Sequence, residues 1–562
     1  MLQIISGKFF NTDELSKSDG YNVLFSNYSW ISEINTCITT LIPFYEKNHD
    51  FAYVVKYLNQ IEKDPVLVRT GDEEIVQEFE SLCIFGLRAL FDSEKENIER
   101  FCRPSKGGMQ SPRPSNYVPR YFDPHIHGRL EEIEQFSKII RKVIGLPRKK
   151  FNSVISCTIA FSNSLKILDY NFDLSYSMLI YCLESLSQKG DNYQPIWEDY
   201  QKSEEMNGIL YGIDPEIHLK IQKTILKDQH LKLQKRFTNF VLSNITDSFF
   251  IEESRDVKHP IRRSEIEKAL INAYSMRSSF AHELKPILLH LKHPTIAEGD
   301  VYHHDNSPYF TYSGLIRLTH HVINNYISEQ EYLESENFDY RSELPGILIM
   351  KMAPEYWIWR TEGFQKFEVS GRLSGFFSQY INSIYNQKPM TNCSDLMELY
   401  ETMISQAEMR NRIPMVIHYC LYNLRLPEDK RTKLFAQLCK QREILDCLKI
   451  CKIENLIFTI LTGQEWPWNI DDCVSEYRRY QKKKYENSSL VLPQLLEILL
   501  LVKIANNFFS QAHYQQYYEW INFAFLESTG YPTLQNFFTS RFADGELIDF
   551  NSVLQLVLKT KT

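Results

Sequence analysis

A chain of 562 residues is too long to close around one hydrophobic core, so about two to four domains are expected. With 43% hydrophobic and 24% charged residues it has an ordinary globular composition, and a net charge of −8 excludes a protein that coats nucleic acid through overall basicity. The 33 Tyr and 35 Phe, against only 20 Gly, favour helices over the Gly-rich turns of sandwiches and argue against a phosphate-cradling α/β enzyme.

In chain order, the start "MLQIISGKFFNTDELS" lacks a charged segment followed by a long apolar one, so no signal peptide is expected. The stretches 2–10, 21–31, 51–58 and 65–70 are rich in β-branched and aromatic residues and predict strands of a small α+β module. Residues 73–92 then turn helical. The segment 103–124, with five Pro and two Gly, reads as a linker. Helical periodicity resumes over 129–145, 151–170, 173–190 and 223–245. In 173–190 it rests on Leu174, Met178, Leu179, Cys182 and Leu186. The stretch 263–284 opens on a capping box, Ser264 with Glu267, and shows an apolar face of Ile266, Leu270, Ala273, Phe280 and Leu284. Pro286 should end or kink it. Residues 312–327 form a further helix, and the polar run 328–343 reads as a boundary. Beyond it the stretches 392–410, 428–463, 470–486 and 493–528 are amphipathic and helical. The most apolar segment, 490–509, is interrupted by Pro493, Glu497 and Lys503 and predicts a buried helix rather than a membrane span.

Eleven cysteines are scattered without a C-x-x-C pair. Cys447 and Cys451 sit four apart on an apparent helix, but no further pair follows at zinc-finger spacing, so reduced cytoplasmic thiols are expected. No phosphate-loop, dinucleotide-binding or nucleophile-elbow motif occurs.

The stretch that carries chemistry is "INAYSMRSSFAHELKP", 271–286, which holds Arg277 and His282 with four residues between them. The spacing alone proves little, since chance supplies about one such pair in a chain with this many Arg and His. Arg120 with His125 repeats it, and Arg412 with His418 nearly does, but Pro124 and Pro414 argue against one uninterrupted helix in either. On an ideal helix, residues five apart lie about 140° apart around the axis. Arg277 and His282 therefore converge only through the reach of the Arg side chain, or where helices from two subunits meet.

"AYSMRSSFAHE" resembles the R-x4-6-H motif of the HEPN superfamily, in the form seen in Apea-like HEPN domains. "SYSMLIYCLESLS" (175–187), "YQPIWEDY" (193–200) and "GLIRLTHHVI" (314–323) resemble its earlier helix, loop and closing helix. The likeness covers roughly a third of the chain. It implies a central HEPN-type helical bundle (126–330); with the patterns read along the rest of the chain, the expectation is a mainly α protein that also has a small α+β N-terminal module (1–125) and a helical C-terminal region (331–562). It also implies a metal-independent endoribonuclease, needing no cofactor, that works as a homodimer or higher homo-oligomer on RNA. His282 would transfer protons to and from the ribose 2′-hydroxyl and the leaving 5′-oxygen. Arg277 would grip the phosphate and stabilise the charge that builds on it. Products would end in a 2′,3′-cyclic or 3′-phosphate and a 5′-hydroxyl. Glu184 is the expected supporting acid, and Tyr274 is expected to pack. The residue after the Arg, often Asn, Asp or His in active members, is here Ser278. By family analogy the role would be a regulated cytoplasmic toxin or anti-phage effector with a phage or cellular trigger and no membrane partner. The alternative is an inactive HEPN scaffold, with Arg277 paired structurally to an acid such as Glu184.

Three other features compete. "FDPHIHGR" (122–129) has the look of a first amidohydrolase metal motif but is followed by helices rather than a barrel. "VYHHDN" (301–306) is a His-rich loop. The basic clusters are 148–150, 262–263 and "RRYQKKKYE" (478–486), where Arg478, Arg479, Lys482, Lys483 and Lys484 alternate with Tyr as an RNA-contacting helix would.

Overall fold

The computed structural model describes the chain except residues 47–48, 64–70, 104–111, 191–195, 198–199, 201, 227–228, 345–351, 386–387, 487–488 and 560–562. The strand expected at 65–70, the middle of the 103–124 linker and most of 193–200 lie outside the described residues. Helices take 62% of the chain and strands 9%, so it is a mainly helical protein with a small N-terminal sheet. It divides into two compact units, Met1–Leu348 and Ile349–Thr562.

The N-terminal unit opens on α1 (Leu2–Ile5), where a strand was expected. Leu2, Ile4 and Ile5 are all buried, a pattern that a one-faced strand cannot supply, and the Glu78 carboxylate accepts the Leu2 N–H at 2.8 Å at the positive end of this turn. A five-stranded sheet follows. It contains β1 (Leu15–Ser26), then, after the separate pair-forming β2 (Tyr28–Ser29), the strands β3 (Ile34–Asn35), β4 (Thr39–Glu46), β5 (His49–Glu62) and β6 (Phe91–Asp92), in the order β3-β4-β5-β1-β6. β1 and β5 run antiparallel in register from Leu15 opposite Glu62 to Phe25 opposite Ala52. Gly20 faces Tyr57 there, and a Cβ at residue 20 would stand 2.2 Å from that ring, so the register needs a glycine.

Helix α2 (Asp72–Leu87) joins the sheet to the helices. Short elements come next: α3 (Lys95–Phe101), α4 (Pro119–Phe122) and β7 (Ile126–His127), which pairs parallel with β2. The long helices are α5 (Leu130–Gly145), α6 (Arg148–Ile167) and α7 (Phe172–Gly190). Phe79 of α2 meets Phe136 of α5 with ring centroids 6.2 Å apart, and Phe85 meets Phe161 of α6 at 5.4 Å. One hydrophobic core thus runs from Met1 to Leu344, straight across the boundary expected at 125/126.

The unit continues through α8 (Ser203–Ile209), α9 (Pro215–Leu226), α10 (Gln229–Ser243), α11 (Asp247–Ile251) and α12 (Arg263–Glu283). A hairpin of β8 (Val301–His304) and β9 (Ser307–Phe310) then leads into α13 (Tyr312–Glu329). Asp305 and Asn306 at the hairpin tip both take positive φ, the two-residue turn that suits the strand twist. Helix α7 is central and packs on α6, α10, α12 and α13. Its buried stripe includes Tyr176, Leu179, Ile180, Leu183 and Leu186, while Leu174, expected inside, is exposed.

Two local expectations for α12 are corrected. The box forms two residues earlier than Ser264 with Glu267: the Arg262 N–H donates to the Glu265 carboxylate at 3.4 Å, because the helix begins at Arg263. The apolar face ends early as well: Ile266, Leu270 and Ala273 are buried, Phe280 is half-buried, and Leu284 stands 76% exposed in a left-handed conformation that closes the helix before Pro286.

In the C-terminal unit α14 (Val369–Tyr385) and α15 (Ser394–Met403) precede α16 (Met409–Leu424). Pro414 does not break α16. It sits in the second turn, where the ring costs one backbone hydrogen bond while Ile413, Met415 and Val416 hold the helix in the core. The expected stretch 428–463 is cut into α17 (Phe435–Leu438), α18 (Arg442–Leu448) and α19 (Ile453–Thr462), so Cys447 and Cys451 do not share a helix. There follow α20 (Ile470–Lys483), α21 (Gln494–Ser510), α22 (Tyr514–Glu527), α23 (Pro532–Asp544) and α24 (Phe550–Lys559). Helix α21 is buried on nearly every side, as its composition predicted. No helix among the described residues is long and apolar enough to cross a membrane.

Candidate active site

Two i,i+3 pairs on facing helices build the site. On α7, Tyr181 and Glu184 share a face; on α12, Tyr274 and Arg277 do. Where the helices pack, the Arg277 guanidinium forms an ion pair with the Glu184 carboxylate, both side chains being less than a tenth exposed. The Tyr274 hydroxyl donates to the other oxygen of Glu184 at 3.3 Å. The guanidinium lies 4.5 Å from the Tyr181 ring centroid and 4.7 Å from that of Tyr274, a cation held between two π faces. Tyr274 in turn leans on Phe237 of α10 at 5.4 Å.

Burial pulls the Arg277 pKa below its ordinary value, with Tyr181 acting against it. Starting from a guanidinium, the charge persists at neutral pH. Burial, then Tyr181, raises the pKa of the Tyr274 hydroxyl, which stays a hydrogen-bond donor. The Arg277 Nε–H has no hydrogen-bond partner among the described residues. One buried donor of the guanidinium is therefore unpartnered, while Nη2 is held by the Glu184 carboxylate.

Three expected site residues, Glu184, Tyr274 and Arg277, thus come together, and Tyr274 both packs and hydrogen-bonds. Tyr181 was not anticipated; its position three residues before Glu184 is the signal that places it. Ser278 is half-buried on the next position of α12. His282 does not join the cluster. It stands exposed in the last turn of α12, about 7.5 Å further along the axis by helical rise.

The basic run on α20 is only partly free. Arg479 donates to Glu476 at 2.6 Å, and Lys484 reaches the buried Glu497 at 3.2 Å. Tyr477 and Tyr480 face the core and donate to Glu497, so they are no stacking platform; Arg478, Lys482, Lys483 and Tyr485 are exposed. Arg148 of the 148–150 cluster is buried against Glu343 at 2.6 Å.

In the His-x-His segment His127 belongs to β7, and in the 301–306 segment His303 contacts Glu265 at 3.0 Å while His304 packs on His290. Among the described residues no group of three or more His, Cys, Asp or Glu is arranged to hold a metal ion. No family model, no curated protein and no solved structure matches this chain.

Proposed function

We propose that the protein is a metal-independent endoribonuclease of the HEPN type, acting as a dimer with Arg277 on the scissile phosphate and His282 as the proton-transfer group. The observation that carries this reading is the Glu184–Tyr274–Arg277 cluster. It fixes a cation with one uncommitted N–H on the same helix that presents an exposed imidazole. In a single protomer the two groups stand apart, so the reading requires a second copy whose α12 brings its imidazole to this guanidinium. Leu174 and Tyr181, seven apart on one face of α7, and Leu284 and Leu289 beyond α12 are exposed apolar side chains that such a copy would cover.

The chemistry then follows from the groups. A neutral imidazole takes the 2′-hydroxyl proton as that oxygen attacks phosphorus, and an imidazolium protonates the departing 5′-oxygen. The guanidinium offsets the charge that grows on the phosphoryl oxygens. A regulated toxin or anti-phage effector is the role this activity would serve, with the α20 cations as a secondary contact to RNA.

A second reading has its own support. The same ion pair neutralises Arg277 within a buried cluster, as a dimerising or binding scaffold without catalysis would. A matched digest separates the two. Wild type, Arg277→Ala and His282→Ala are incubated with total cellular RNA in EDTA, and product ends are mapped. The nuclease predicts cleavage with cyclic or 3′-phosphate ends in wild type, lost in both variants. Equal cleavage in all three would remove the site from the mechanism, and an RNA-inert protein that still dimerises would favour the scaffold.

A further inference from the structure

A second arginine, at the end of α2, stands in an opposite environment. Arg88 closes α2 with φ at +52°, a left-handed conformation that a side chain with a Cβ rarely adopts. Its Nη2 lies 3.1 Å from Nδ1 of His320 on α13, and Asn324 Nδ2 reaches the same nitrogen at 3.1 Å. The other ring nitrogen, Nε2, is 3.2 Å from the Phe85 carbonyl oxygen. The guanidinium reaches both ring nitrogens, its Nε lying 3.4 Å from Nε2, so in either tautomer of the neutral ring one nitrogen is left to accept from Arg88. The imidazole is buried and stacked on Phe85 with centroids 4.5 Å apart. Burial, then the charge of Arg88, holds its pKa well below the ordinary value. A neutral ring therefore props the guanidinium without cancelling its charge.

Arg88 lines a recess of ≈ 440 Å³. One wall is the face of α5 that carries Lys138 and Lys142, the other is the His320–Asn324–Ser328 stripe of α13, and Arg120 stands at α4. Four cations meet one carboxylate here, Glu132, and that carboxylate is already engaged by Arg120 at 2.6 Å and by the Tyr28 hydroxyl at 3.2 Å. Arg88, Lys138 and Lys142 form no ion pair among the described residues. Glu253 feels the charge of Arg88, but its carboxylate is taken by His321 Nδ1 at 2.7 Å. In a chain with a net charge of −8, such a local surplus of cations is an anomaly with a direction.

We propose that this recess binds the phosphate groups of a small phosphorylated ligand of about mononucleotide size. The volume falls within the range of roughly 300–1,000 Å³ usual for small-molecule sites. The Arg88 fork suits two phosphate oxygens, and the two lysines supply point charges on the facing wall. Asn324, Gln135 and Ser328 leave amide and hydroxyl groups for the remainder of the ligand. The left-handed backbone at Arg88 is the kind of local strain that persists where a side chain must be aimed. This inference stands independently of the ribonuclease reading.

The test is calorimetric titration of the full chain with pyrophosphate and with ADP, at fixed ionic strength so that screening does not vary. The expected result is saturable binding of both. Arg88→Gln should weaken it at least about tenfold, and so should Lys138→Gln with Lys142→Gln. The lysine variant changes only exposed side chains and keeps the test valid if Arg88→Gln fails to fold. Three results would overturn the proposal: no saturable binding of either probe up to about 10 mM, ADP binding without pyrophosphate binding, or unchanged affinity in the variants. An RNA oligonucleotide that binds here when neither probe does would also overturn it.

Discussion

Arg277 and Arg88 are two fixed guanidinium groups with opposite partners. Arg277 is buried, faces a carboxylate and lies between two tyrosine rings. Arg88 is exposed and leans on a neutral imidazole. The partner decides what the charge is free to do. A carboxylate makes the arginine part of the fold's internal electrostatics and leaves chemistry only to donors it does not occupy. An imidazole aims the fork and leaves the whole charge for something from outside.

The largest effect that tests this contrast is at Glu184. Glu184→Ala leaves a buried cation unpaired and should cost about 3–5 kcal/mol of stability, read by chemical denaturation. Replacing both members, Glu184→Leu with Arg277→Met, should recover most of that loss, because a buried pair is roughly neutral against apolar groups of similar volume. At the other arginine, Arg88→Gly should change stability by less than about 1 kcal/mol, since relief of the left-handed backbone offsets the lost hydrogen bonds. Comparable losses at both sites would break the comparison.

A smaller effect comes from acid. His418 is fully buried on α16, with Phe376 at 4.6 Å and Tyr400 at 5.7 Å, and neither ring nitrogen has a hydrogen-bond partner among the described residues. Burial, then the Arg372 charge, pushes its pKa down to about 3. Above the unfolded value near pH 6.5 the ring is neutral in both states, and its contribution is fully present. As pH falls below that, the unfolded chain takes up the proton first, and stability is lost by up to about 1.4 kcal/mol per pH unit until the folded ring protonates. Protection factors of α16 amides, corrected for the intrinsic pH dependence of exchange, should therefore fall between pH 6.5 and 5, and His418→Phe should flatten that dependence. His320 should act in the same direction on α13, its pKa being held down by burial and by Arg88.

The helical content and the residues of the α7–α12 cluster are legible in the sequence for different reasons. Periodicity over 129–145, 173–190 and 312–327 is enough to place α5, α7 and α13. Glu184, Tyr274 and Arg277 stand out only because their segments resemble one motif, and nothing in the sequence states that the α12 apolar face stops at Arg277 and leaves Leu284 outside. Leu2–Ile5 form a helical turn instead of a strand because a short apolar run carries no period, and burial of all four residues decides it. The continuous core across 125/126 depends on contacts such as Phe79 with Phe136, which no local pattern announces. The Arg88 recess is the extreme case: Arg88 and His320 lie 232 residues apart, and the sequence shows only an arginine after a glycine and leucine and one of two adjacent histidines.

The smallest effect on stability sits where the largest effect on function is expected. His282 is exposed in the last turn of α12, and among the described residues no hydrogen bond or ion pair involves its side chain, so His282→Ala should alter stability by less than about 0.5 kcal/mol. Arg277→Ala cannot offer so clean a comparison, because it strands Glu184 in the core and loosens the packing of α7 on α12. A pair of variants on one helix, one that abolishes RNA cleavage at unchanged stability and one that abolishes it while lowering stability by several kcal/mol, would separate the reacting group from the group the fold holds in place. If His282→Ala instead lowers stability as Arg277→Ala does, then the imidazole has a structural partner, which the proposed dimer would have to supply, and a proton-transfer role is not what holds it there.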